Sequence, residues 1–295
     1  MKYLRQSFAI IILFFPYSLL WAQWGILPGA VIEENELGIA NYSQGYITAV
    51  GIGIFPENVS SNVQGKANAI RAAKVDAMRN LAEMVYGVRI NSETTVRMGV
   101  VESDVINSGV NVILKGASQV GEVRFLDDSS VEVTMGISMS AILNIVLGSP
   151  NQLTPFEKSV DIKLEVSGES REDQTLSSFR EDEPVTGIII DGRGMNVKPS
   201  MSPQILTQND DVLYGRGSYP ADFAVTQGVV GYHRDPNIAM KDQRVAGNPL
   251  LITAIGVSGK LSTDMVISSR DALVIASANK INDFLGNCRV MFILD

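Results

Sequence analysis

Apolar residues recur through residues 70–85 at steps of three and four: Ile70, Ala73, Ala77, Leu81, Met84 and Val85. That is the period of one helical face, so it predicts a long amphipathic helix closing at Gly87, a residue suited to the position just past a helix end. Ser61-Asn62-Val63-Gln64 has the form of a capping box, in which the serine oxygen accepts from a first-turn amide while Gln64 reaches back. Upstream, Tyr46-Ile47-Thr48-Ala49-Val50 predicts a strand, followed by Gly51-Ile52-Gly53-Ile54-Phe55-Pro56. Downstream, Val88-Arg89-Ile90 and Thr94-Thr95-Val96 are β-rich, and residues 101–114 fit either a short helix or an extended segment. Two clearer strands, 121–126 and 131–139, flank Asp127-Asp128-Ser129-Ser130, whose short polar side chains suit a hairpin turn.

Val160-Asp161-Ile162-Lys163-Leu164-Glu165-Val166 alternates apolar and polar positions, as an edge strand with one wet face does. After it the composition turns to Ser, Glu, Asp, Arg and Thr, which is linker chemistry. The next half opens on Val185-Thr186-Gly187-Ile188-Ile189-Ile190-Asp191 and closes on Cys288-Arg289-Val290-Met291-Phe292-Ile293-Leu294, both patterned as interior strands. Between them lie a strand at 250–257 and a helix started by Ser268 and Asp271. Ala272, Ile275, Ala276, Ile281 and Leu285 form its apolar side up to Gly286. The predicted class is α+β, with two domains, each a mainly antiparallel or mixed sheet packed with one long helix. Their expected bounds are 40–166 and 184–295, joined by a linker over 167–183.

Residues 1–22 add an address. Lys2 and Arg5 precede an apolar run from Phe8 to Leu20, and Leu20-Trp21-Ala22 offers a small residue at a cleavage point, the order of a secretory signal peptide. The run is shorter than the roughly 20 apolar residues a spanning helix needs, so no stable membrane span is expected after cleavage. Position 23 is Gln, so there is no cysteine at the cut to carry a lipid. Cys288 is the single cysteine and forbids an internal disulfide. A periplasmic or otherwise exported, unlipidated protein is expected.

Charge narrows the partners. With Lys2 and Arg5 removed, the 24 basic residues become 22 against 32 acidic ones, and the formal charge moves from -8 to -10. A nucleic-acid backbone calls for clustered Lys and Arg. The nearest approach is Lys66, Arg71, Lys74 and Arg79 on the predicted helix, interleaved with Asp76 and Glu83. These four form either a solvated helix face, with an Arg79–Glu83 ion pair, or an interface for another protein.

The chemistry-bearing residues form no coherent catalytic set, and no cofactor or metal is called for. Gly51-x-Gly53 follows a strand, but the third glycine and the Lys-Ser or Lys-Thr pair of a phosphate loop are absent. Turn geometry, letting the strand bend into the helix, is the plainer role for these glycines. Asp191-Gly192-Arg193-Gly194 places an acid at a predicted strand end, and Asp210 and Asp211 could add carboxylates. These four are the candidate ligand or interaction site, against the alternative of a structural turn closed by an Arg–carboxylate contact. His233, the only histidine, has no Gly-x-Ser-x-Gly elbow to serve, so a structural or surface role is expected. Cys288 is expected to be a small core residue on its strand.

Tyr46-Ile47-Thr48-Ala49-Val50-Gly51-Ile52-Gly53, then residues 67–83, Ala67-Asn68-Ala69-Ile70-Arg71-Ala72-Ala73-Lys74-Val75-Asp76-Ala77-Met78-Arg79-Asn80-Leu81-Ala82-Glu83, and Gly87-Val88-Arg89-Ile90, resemble the amino-terminal domain shared by the twenty-kilodalton surface lipoprotein (Lpp) family and flagellar assembly protein T. The resemblance covers about residues 40–140 and implies a small α+β module of the bacterial envelope with no catalytic residues. This chain departs from the lipoproteins in lacking the lipidation cysteine, and its second half does not follow the later domains of the flagellar protein. Residues 186–215, with Gly187, Asp191, Gly194, Pro199, Ser202, Pro203 and Tyr214, resemble an extension recurring in uncharacterised bacterial proteins of this type. The function so implied is a periplasmic, non-enzymatic adaptor or structural component of a flagellar or outer-membrane assembly. Its expected partners are envelope or flagellar proteins, or further copies of itself. The rival reading is a secreted hydrolase or small-ligand-binding protein with its site around Asp191.

Overall fold

A computed structural model describes residues 26–55, 63–126, 130–148 and 183–295. The leader, Ser61 of the capping box, the turn at 127–129, the strand expected at 160–166 and residues 167–182 of the linker lie outside the described residues.

The first half is a five-stranded antiparallel sheet with helices on one face. Chain order runs β1 (Ile32–Glu34), β2 (Gly38–Asn41), β3 (Tyr46–Ile54), α1 (Val63–Gly87), α2 (Val96–Glu102), α3 (Asp104–Lys115), β4 (Ser118–Phe125), β5 (Ser130–Ser138) and α4 (Met139–Gly148). The sheet order is β1-β2-β3-β5-β4. Of the predicted stripe, α1 buries Ala73, Ala77, Leu81, Met84 and Val85 against the sheet, while Ile70 is only half-buried and Ala69, one position earlier, is buried in its place. Residues 101–114 resolve into helix, and the β-rich 88–96 stretch shrinks to one bridge between Arg89 and Thr95, because Val96 already opens α2. Thr95 and Ser103 supply the N-caps of α2 and α3.

Gly51 and Gly53 correct the turn reading. Both lie inside β3, on the face under α1, where a Cβ on Gly51 would strike the backbone of Ala73 and Ala77, and one on Gly53 the carbonyl of Ala69. Two missing side chains on the strand meet three alanines on the helix, and that is what brings helix and sheet together so closely. The helix also satisfies backbone groups of β3 beyond the end of its pairing with β2. Asn80 donates to the Val50 carbonyl at 2.7 Å and Asp76 accepts from the Ile52 amide at 3.0 Å. Asp76 pairs with Arg79 at 2.6 Å and Glu83 pairs with Arg97 at 2.7 Å, so the expected Arg79–Glu83 pair is replaced by two others.

The second half divides its strands between two sheets. The chain continues through β6 (Ile188–Asp191), β7 (Ile205–Thr207), β8 (Val212–Tyr214), α5 (Ala221–Gln227), β9 (Gly231–His233), α6 (Pro236–Ala239), β10 (Leu250–Thr253), β11 (Gly256–Ser258), β12 (Asp264–Ile267), α7 (Ser269–Asn282) and β13 (Val290–Ile293). Strands β10-β6-β13-β9 form a wholly parallel sheet, and β11-β12-β7-β8 a mixed one. Parallel strands need cover on both faces. Ile188 and Ile190 face the main core, while Ile189, Met291 and Ile293 pack with Ala239 of α6 and Val245 in a separate cluster. The single strand expected at 250–257 is two strands in different sheets, β10 and β11. Ser268 caps α7 as its spacing predicts, accepting from the Asp271 amide. Ile281 falls off the buried side and is 78% exposed, because the helix ends one residue later with Asp283 in the left-handed region. The class is α+β throughout.

The halves share one hydrophobic core, to which Leu81, Val133, Ile188 and Phe292 all belong. The Tyr232 ring bridges them edge-on, with its centroid 6.0 Å from Tyr42 and 5.9 Å from Phe292. Backbone bonds join them too: Met201 and Ser202 donate to the carbonyls of Arg89 and Ile90, and Leu261 to that of Ser92.

Candidate functional site

Asp191 ends β6 at the carboxyl edge of the parallel sheet, and Arg193 folds back onto it. The guanidinium donates through Nη2 at 2.6 Å and Nε at 2.9 Å, and the Arg193 amide adds a third bond at 3.1 Å. Burial pushes the Asp191 carboxyl up, but the hydrogen bonds from Arg193 outweigh it and hold the group below the usual carboxylate range. The same contact raises Arg193 further. Asp295 accepts from the Gly194 amide at 2.9 Å and, with Asp235, completes the acidic surroundings of Arg193.

Asp210 and Asp211 are not part of this group. They form the β7–β8 turn, Asp210 in the left-handed region at φ 63°, and both bond back to Thr207. No contact among the described residues joins them to Asp191 or Arg193. The structure thus brings together two of the four expected residues, in an arrangement where each satisfies the other.

His233 ends β9, and its Nδ1 accepts from the Asp235 amide at 2.8 Å while the ring packs against Gly29. Cys288 is fully buried, but it precedes β13 instead of lying on it, with φ at 51°. Burial raises its thiol above the ordinary value. Lys66, Arg71, Lys74 and Arg79 all stand exposed on the outer side of α1. Lys66 lies 5.9 Å from the Phe125 ring centre, Arg79 pairs with Asp76, and among the described residues no ion pair reaches Arg71 or Lys74.

A cavity of about 210 Å³ opens where the halves meet. Tyr42 to Gly45, in the β2–β3 turn, form one wall, with Ser138, Met139, Ser140 and Leu143 from the end of β5 and the start of α4. Ser200, Met201, the segment from Val225 to Tyr232, and Arg244 close it from the second half. Among the described residues Arg244 is the only charged one of this wall. Its guanidinium donates to the carbonyls of Gly228 at 3.0 Å, Cys288 at 2.8 Å and Gln227, and burial lowers its pKa from the ordinary value. Ser200 carries the one buried side-chain oxygen without a hydrogen-bond partner among the described residues. Leaving such a hydroxyl unpaired costs roughly 1–3 kcal/mol. The Tyr232 hydroxyl meets the Ser200 backbone, donating to the carbonyl at 2.9 Å and accepting from the amide at 3.1 Å, and the Tyr232 carbonyl accepts from the Ser43 hydroxyl at 2.6 Å.

Sequence spacing could not have assembled this cavity, because its walls come from segments that meet only when the two halves pack. Among the described residues, no group of three or more His, Cys, Asp or Glu side chains could hold a metal. No described helix is long and apolar enough to cross a membrane.

The fold defines an α+β protein whose carboxyl-terminal half pairs a parallel sheet with a mixed one. The family model for Treponema pallidum Tp0624, second domain, matches residues 187–295, that same half. It takes in Asp191, Arg193, Ser200 and Arg244, while Tyr42 to Gly45 and Ser138 to Leu143 lie outside the match. No curated protein matches the chain.

Proposed function

We propose that this protein is an exported, non-enzymatic envelope component that attaches to a larger flagellar or outer-membrane assembly. The observation that carries the reading is the outer face of α1. There Arg71 and Lys74 stand exposed, with no carboxylate partner among the described residues, in a chain of net charge -8, and Val75 beside them is 71% exposed. A basic strip with an exposed apolar residue on an acidic protein suits an acidic partner surface, where complementary charge speeds encounter and fixes orientation. The signal-like leader and the resemblance of residues 40–140 to the Lpp and flagellar assembly protein T module agree with this reading. The partner is an envelope or flagellar protein, with self-association as the alternative.

Crosslinking in cells, followed by identification of the captured chains, tests the proposal. The native protein should give a defined envelope partner. The double charge reversal Arg71→Glu/Lys74→Glu should lose it while the melting temperature stays within a degree or two, since exposed charges contribute about 0–1 kcal/mol. Recovery of the native protein as an unattached monomer under every growth condition would remove the adaptor reading.

A further inference from the structure

We infer that the cavity between the two halves binds a small monocarboxylate, with Arg244 as its counter-ion. The wall is rich in unclaimed donors. A guanidinium carries five N–H groups, and Arg244 commits three of them to carbonyls. Gln44 spends its side-chain oxygen on Asn41, leaving its amide donors free among the described residues. Ser138 and Ser140 share one bond at 2.7 Å, which uses one of their two hydroxyl protons, and the Ser200 hydroxyl has no hydrogen-bond partner within reach among the described residues. Among the described residues no Asp or Glu lines the cavity. Asp242 accepts from the Arg244 amide, and Arg244 also lines an adjoining hollow together with Asp242 and Arg289.

Charge sets the ligand class. One guanidinium balances one negative charge, and a planar carboxylate matches guanidinium geometry, whereas a phosphate dianion would lack a second cation here. Met139, Leu143 and Met201 give the same cavity an apolar side for a short carbon chain. The volume of about 210 Å³ far exceeds the roughly 10–15 Å³ that a single water needs. It restricts the ligand to a small molecule.

The test is calorimetric titration of the mature chain with sodium acetate, butyrate and hexanoate, with the matching neutral amides, and with inorganic phosphate. At least one carboxylate should saturate a single site, its amide should bind roughly ten-fold more weakly or worse, and phosphate should not compete. Arg244 also holds three carbonyls, so Arg244→Gln could disturb the fold. Ser140→Trp, which adds bulk at the half-buried rim of the cavity and leaves the Arg244 residue in place, serves as the second variant, and Arg289→Ala in the adjoining hollow as the control. Binding should vanish in Ser140→Trp and persist in Arg289→Ala. Equal binding of carboxylate and amide, tighter binding of phosphate, unchanged binding in Ser140→Trp, or no saturation by any carboxylate would each overturn the inference.

Discussion

Gly53 of β3 and Ala69 of α1 meet backbone to backbone, so closely that a single methyl group on Gly53 would collide with the Ala69 carbonyl oxygen. The obstruction is main chain, which cannot swing aside as a side chain can. Gly53→Ala should therefore lift α1 from the sheet and cost about 1–3 kcal/mol, the usual penalty for overpacking a tight core. Gly51→Ala should behave alike, since it would meet Ala73 and Ala77. Gly87→Ala, where a Cβ meets nothing within 4 Å, serves as the control in chemical denaturation and should change stability least.

The same helix separates what its sequence revealed from what it concealed. A single stripe of apolar residues at helical spacing faces one sheet, so α1 and its buried side were legible as local pattern. The function of Gly51 and Gly53 was not, because two glycines near a strand end look alike whether they make a turn or admit a helix. Asp191 and Arg193 stand two residues apart, and their contact could be foreseen. Asp210 and Asp211 belong to a turn of another sheet, and only the parallel crossovers of the second half reveal that separation. Ser200 and Arg244 lie 44 positions apart in the sequence and line one cavity only through the packing of both halves.

Leu81 is completely buried in the α1 stripe, whereas the Arg79 side chain is 75% exposed. Leu81→Ala should cost about 2–5 kcal/mol through lost contacts and a residual cavity. Arg79→Ala should leave stability nearly unchanged, for Asp76 keeps its bond to the Ile52 amide without the arginine. Denaturant melts of the two variants should differ clearly in midpoint, and equal destabilisation would contradict the observed orientation of the helix.

Arg89 grips Glu33 through two bonds, at 2.5 and 2.7 Å, and the Tyr42 hydroxyl donates to the same carboxylate at 3.0 Å. The Arg89 side chain is only 17% exposed, so removing Glu33 strands a half-buried cation beside the junction with the second half. Glu33→Ala should cost about 1–3 kcal/mol, between the values for exposed and fully buried pairs. In a double-mutant cycle with Arg89→Met the two costs should fall well short of adding. Additive costs would show that the residues act separately.

Asp191 gives a pH dependence of defined sign. Its folded pKa lies below the ordinary value of 3.8, so the Arg193 contact stabilises the folded state fully only above that value. As pH falls through 3.8 and then through the lower folded value, the unfolded chain takes up its proton first and the contribution disappears. Asp191→Asn removes the charge at every pH. The native protein should accordingly melt above Asp191→Asn near neutrality, and the gap should narrow steadily as the buffer is taken below pH 3.8. The side chains are partly open to solvent, so the effect should be modest and should shrink with added salt. A gap that stays constant from neutral to acid would mean that the pair contributes through packing alone.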